Sequence, residues 1–189
     1  MKLSEVAADR AGEKRRRVVE AARYLILRHG LRGTTMEAIA REAGMAKPTL
    51  YAQFPDKDAV FAAIVDGLTE ELVEAFRQGM TGKGDLADRV GSALALQFAA
   101  LNRALDGSPH ATELMSEHRR AGEKFREKDR LAHDELAEAL KTAGIAEASM
   151  LADLVMAASY GIALKATDEK QMIAAIRLLC RRVIAPELG

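Results

Sequence analysis

An all-α fold of about nine helices is expected for this 189-residue chain, and three observations predict it. Apolar residues recur at i, i+3 and i+4 along most of the length. No run alternates with the period of two that a half-buried strand needs. Glycine or proline interrupts the helical pattern wherever one stripe gives way to the next. Composition agrees with a folded globular chain, 49% hydrophobic and 30% charged with no tryptophan, and the length suffices for one large or two modest domains.

Taken in order, residues 1–12 are mixed and unpatterned and read as a flexible arm. From Glu13 a stripe of Val18, Ala22, Leu25 and Ile26 predicts a helix that ends at His29-Gly30. Its polar face carries Lys14, Arg15, Arg16 and Arg17. A basic run at a helix start opposes the helix dipole, so these charges are either a solvated face or contacts to phosphate.

The stretch from Thr34 to Phe54 has the character of a device. Thr34 stands three residues before Glu37, a capping-box spacing, and Met36, Ile39, Ala40 and Ala43 form a stripe closed by Gly44 at a left-handed cap position. After Met45, Ala46 and Lys47 comes Pro48, suited to the first turn of a new helix. Two short helices across a turn of about four residues make a helix-turn-helix. Leu50 and Phe54 point inward on the second helix, leaving Lys47, Thr49, Ala52, Gln53 and the Tyr51 hydroxyl outward, where donors, acceptors and a cation suit a major groove. A second role is open to Tyr51, bracing Phe54 as part of the core.

Beyond Phe54, Pro55 and Asp56 start a long helix with Phe61, Ile64, Val65, Leu68, Leu72 and Phe76 along one side. Lys57 in its first turn is unfavourable against the dipole unless an anion is near, and a phosphate is one candidate. The run Gln78 to Gly84, with three glycines in seven residues, is the best boundary. Next come Leu86, Val90, Leu94, Phe98, Leu101 and Leu105, a short helix over 110–116, and a longer one to Ala143 with Phe125, Ala132, Leu136 and Leu140 inward. The last two segments are the most apolar: Met150, Leu151, Leu154, Val155, Ala158 and Ile162, then Met172, Ile173, Ile176, Leu179, Cys180, Val183 and Ile184. Faces that wide exceed what one packing contact buries, so a partner chain near 149–166 and 168–185 is expected to cover the surplus, the centre of the monomer core being the other reading. The organisation is thus an arm at 1–12, a DNA-binding domain at 13–60, a connecting helix and break at 61–84, and a helical domain at 85–189.

Net charge is zero, yet its distribution is uneven. Residues 1–63 carry 12 Lys and Arg against 8 Asp and Glu, a surplus of four; with totals of 28 and 28, the remainder carries 16 against 20. A basic head on an acidic body fits a chain of which one part meets phosphates. Cys180 is the single cysteine, which excludes an intrachain disulfide and suggests a reducing compartment and a small buried side chain. The N-terminus has no apolar signal core and no stretch approaches 18 apolar residues, so neither export nor a membrane span is expected. His110, Glu113, Glu117 and His118 make no metal site: the two histidines are about 12 Å apart along a helix. No convergent acid, base or nucleophile set is present, and no cofactor motif.

The run from Gly33 to Phe61, with T-x-x-x-I-A, A-G, L-Y-x-x-F and K-x-x-x-F, resembles the DNA-binding signature of the TetR/AcrR (tetracycline-repressor) family of bacterial regulators, over about 50 residues. The resemblance implies a cytoplasmic, homodimeric, non-enzymatic repressor that binds double-stranded operator DNA and is released by a small-molecule effector held in the C-terminal domain. Residue by residue, it implies that Thr34 and Thr35 meet phosphates at the start of the second helix and that Lys47, Pro48 and Thr49 lie in the major groove. Tyr51, Gln53 and Lys57 would contact backbone or nearby bases, with Arg15 and Arg16 on phosphates. Ala52 stands where many relatives carry an aromatic or polar residue, which thins the base contacts. An effector cavity would be lined by Phe98, Leu101, Leu114, Met115, Phe125 and Tyr160, and the long helix from Asp56 would transmit a tilt. Two other classes compete: a non-specific architectural DNA binder, and an α-helical carrier or enzyme whose N-terminal helices are structural.

Overall fold

The computed structural model describes residues 2–105, 107–111 and 123–188. Among them are eight α-helices and no strand: α1 Lys2–Gly33, α2 Met36–Glu42, α3 Lys47–Gln53, α4 Lys57–Met80, α5 Leu86–Leu105, α6 Glu123–Thr142, α7 Ala148–Lys165 and α8 Glu169–Ile184, closed by a 3-10 turn at Ala185–Leu188. Leu114 and Met115, with most of the short helix expected over 110–116, lie outside the described residues. α1 already runs helical from Lys2, through the segment expected as an arm over 1–12. Lys14 to Arg17 therefore sit inside a helix rather than at its start. Near its end α1 breaks at Gly30, whose φ of 74° and ψ of 166° suit a residue without Cβ.

Two compact units result. One holds the chain up to Gly67 together with Leu105 and the described residues just after it; the other holds Leu68–Ala104 and the chain from Glu123. The core of the first is Val18, Ala22 and Ile26 of α1 against Met36, Ile39, Ala40, Leu50, Phe54, Val60 and Phe61, all buried. Ser108 ties back to α1 by donating to Leu27 O at 2.6 Å.

α4 buries Phe61, Val65 and Phe76 of the expected stripe but not its other three residues. Val60, Phe61, Val65, Thr69, Val73 and Phe76 are buried, whereas Ile64, Leu68 and Leu72 are half-buried. Apolar residues surround more than half of this helix, so two stripes at helical spacing were open and packing chose between them.

In the second unit α5 buries Leu86, Val90, Leu94, Phe98 and Leu101 together with five alanines, and α6 buries Ala132, Leu136 and Leu140. α7 divides its apolar residues between two sides. It turns Ala148, Ala152, Val155, Ser159 and Ala163 inward, while Met150, Leu154 and Leu164 are 60%, 55% and 62% exposed. Small side chains let α7 approach α6 and α8 closely, and the large ones were left for the other side. Met172, Ile176, Cys180 and Ile184 are the buried edge of α8, with Leu178 57% exposed. By length and composition α7 could cross a bilayer, yet its small-residue edge is packed within this unit. The ion pairs Arg77–Glu135, Asp88–Arg181 and Arg103–Glu169 lie on the surface, where such pairs add little.

Cys180 is fully buried, and desolvation pushes its thiol up to about 11. Alkylation at pH 8 is therefore expected to be negligible in the folded protein and complete after denaturation, which a mass-spectrometric count of labelled protein checks.

Candidate nucleic-acid interface

The start of α2 differs by one residue from the capping reading. Thr35, not Thr34, is the N-cap: its backbone is extended (φ −116°, ψ 156°) and its Oγ1 accepts from Ala38 N at 3.1 Å. Thr34 is only 2% exposed and donates its hydroxyl to Gly30 O at 2.9 Å. Consecutive threonines offered either choice, and the carbonyl freed by the Gly30 break claimed the first. The Thr34 side chain thus faces inward rather than toward a phosphate.

The far end of α2 is closed by a Schellman motif. Gly44 N donates to Arg41 O at 3.1 Å and Met45 N to Ala40 O at 3.0 Å, with Gly44 at a left-handed φ of 62°. After Ala46, α3 begins at Lys47 with Pro48 in its first turn and no side-chain N-cap. Leu50 and Phe54 plug it into the core. The opposite side presents Lys47, Pro48, Tyr51 and Ala52 exposed, with Thr49 and Gln53 half-buried. Tyr51 is 46% exposed, so it is not a core brace. Lys47 pairs with Glu37 at 3.1 Å, both well exposed. The Glu37 carboxyl is held below the ordinary carboxylate range by its own backbone N–H and then by Lys47.

Several cations expected on phosphates have protein partners. Lys57 is half-buried and donates to Leu31 O at 2.7 Å and Thr34 O at 3.1 Å. The anion sought beside this lysine is therefore a pair of carbonyls at the α1–α2 junction. Arg16 is held by Glu13 at 2.8 Å and by Glu20. Arg15 lies over the Phe54 ring, 4.2 Å from its centroid, with Nη1 3.5 Å from Gln53 O. Arg17, read with its neighbours as either solvated or on phosphate, donates to Ala43 O. Its signal in the sequence was Gly44, since a left-handed cap leaves carbonyls that a nearby cation can take.

The expected effector-pocket residues are brought together only in part. The rings of Phe98 and Tyr160 meet at 6.4 Å between centroids, tilted by 51°, and Leu101, three residues after Phe98 in α5, is buried; the Phe125 side chain lies outside the described residues. An open groove of about 710 Å³ in the same unit is lined instead by Met80, Leu86, Arg89, Asp134, Glu138 and neighbouring residues. Among the described residues no group of His, Cys, Asp and Glu could hold a metal ion.

Residues 18–64 match the family model for "Bacterial regulatory proteins, tetR family". The transcriptional repressor Rv1474c of Mycobacterium tuberculosis is 28% identical over 81 residues, 42% of this chain and 43% of that protein. The transcriptional activator FasR of Mycolicibacterium smegmatis is 29% identical over 86 residues, 46% of this chain and 39% of that protein. These matches span less than half the length of either relative. The solved structure of the fatty acid degradation regulator FadR from Bacillus halodurans superposes with a TM-score of 0.72 at 17% identity, covering 88% of this chain and 94% of that one, a likeness of fold.

Proposed function

We propose that this chain, whose residues 18–64 match the tetR family model and whose relatives named above are transcriptional regulators, is a ligand-responsive repressor of that family. It would bind a palindromic operator as a homodimer in the bacterial cytoplasm and be released by a small molecule. The observation that carries this reading is the outer side of α3. Lys47, Thr49, Tyr51 and Gln53 line a short helix that Leu50 and Phe54 hold by its other side, the arrangement a groove-reading helix requires. Thr35 at the N-cap of α2 is exposed where a phosphate would approach a helix start. The exposed Met150, Leu154, Leu164 and Leu178 support a second copy of the chain on α7 and α8, since apolar side chains this large gain from leaving water. A two-fold dimer sets its α3 helices about 34 Å apart along a duplex. An effector near Phe98 and Tyr160 that favours another separation would weaken operator binding by about 1–3 kcal/mol.

Selection of bound sequences from a random DNA pool tests the reading directly. An enriched palindrome is expected; salt-sensitive binding without an enriched sequence would mark a non-specific binder instead. A thermal-shift screen of small molecules on the same protein then tests for the effector. Tyr51→Ala is expected to weaken operator affinity by about tenfold, the scale of one good base or phosphate contact, with dimer mass and Tm unchanged. Matched losses in affinity and Tm would make Tyr51 structural.

A further inference from the structure

The basic run of α1 has a use apart from phosphate. α3 is seven residues long with no side-chain N-cap. Helices this short are marginal by themselves, and the last carbonyls of any helix lack internal partners. At its C-terminal end, Arg15 covers the Phe54 ring at 4.2 Å and reaches Gln53 O at 3.5 Å. At the C-terminal end of α2, Arg17 donates to Ala43 O. A Cβ built at Gly44 would lie 3.1 Å from Arg17 Nη2 as well as in left-handed backbone, so guanidinium and glycine share one tight corner. Each arginine thus sets a positive charge on the negative end of a neighbouring helix, where it is favourable, while remaining within α1 itself.

We infer that Arg15 and Arg17 are positioning residues: they lock the C-terminal ends of α3 and α2 to α1 and so fix the attitude of the groove-reading helix before DNA arrives. This rests on the proposed role of α3, but the lock itself is a property of the free protein. Its value to binding is preorganisation, since an α3 that rocks in the free protein must be ordered on the operator. Arg16, held by Glu13 and Glu20 on the same helix, has no such role and serves as the internal control.

The test uses the full-length protein and the variants Arg15→Met, Arg17→Met and Arg16→Met, with amide hydrogen exchange measured without DNA and operator affinity measured across salt concentrations. Exchange over 50–54 is expected to speed up about tenfold in Arg15→Met, and over 43–46 in Arg17→Met, with Arg16→Met unchanged at both. Affinity is expected to fall about tenfold while the slope of log affinity against log salt stays within roughly 0.3 of the parent. Unchanged exchange would overturn the inference, as would a slope reduced by the roughly 0.9 of a lost phosphate contact. If a methionine variant fails to fold, its lysine counterpart is read instead. Full exchange protection and affinity there would also overturn it, because a phosphate contact needs only the charge. Should the parent bind no specific DNA, the repressor reading falls, and the exchange data still decide the lock.

Discussion

Gly79→Ala is expected to destabilise the protein by about 3 kcal/mol, near the upper end for overpacking, and to lower Tm by about 6–12 °C. A Cβ at this position would lie 2.2 Å from Ala93 Cα, 2.4 Å from Ala93 N and 2.8 Å from Ser92 C. All three atoms are backbone, so no rotamer change relieves the overlap and α4 must move away from α5. Gly67, also within α4, supplies the contrast. Nothing lies within 4 Å of a Cβ added there, and Gly67→Ala is expected to stabilise by about 0.5–1 kcal/mol through helix propensity and a less flexible unfolded chain. Thermal and denaturant unfolding of the two variants side by side measure both signs. Equal effects would mean that α4 and α5 do not approach this closely.

The double substitution Met150→Glu with Leu154→Glu is expected to leave the monomer folded and to abolish the proposed dimer. Both side chains are more than half exposed in the single chain, so charging them costs the monomer little. In a two-fold interface each would be buried twice, and at about 1.5–3 kcal/mol for each apolar side chain the loss exceeds about 6 kcal/mol before desolvation of the carboxylates. Sedimentation velocity should show a monomer with parent-like helicity. Affinity for a palindromic operator should collapse with it, because two half-sites bind tightly only when their readers are linked. A variant that remained dimeric would move the interface away from this face of α7.

Glycine shows where one-dimensional reading stops. The cluster at 79, 82 and 84 reads as a flexible break between domains, and the chain does leave the helix at Met80. Gly79, however, lies inside α4, buried against α5, and its lack of a side chain is a packing requirement. Composition cannot distinguish a glycine that bends from one that lets two helices touch, because both needs select the same residue. Gly44 could be distinguished, since its position after a short apolar stripe specifies a left-handed cap whatever surrounds it.

The same division runs through the charges and the last two helices. Local spacing alone determined the helical class, the α2–turn–α3 element, the inward side of α3 through Leu50 and Phe54, and the basic head on an acidic body, because these depend on residues within a few turns of one another. Only tertiary structure decided that Thr35 rather than Thr34 caps α2 and that Lys57, Arg15 and Arg17 sit on carbonyls of other helices. It also decided that α7 faces its own unit with alanines and a serine while leaving Met150, Leu154 and Leu164 outside. Each of those outcomes depends on which backbone ends and which neighbouring helices lie within about 4 Å, and residues far apart in the chain set that distance.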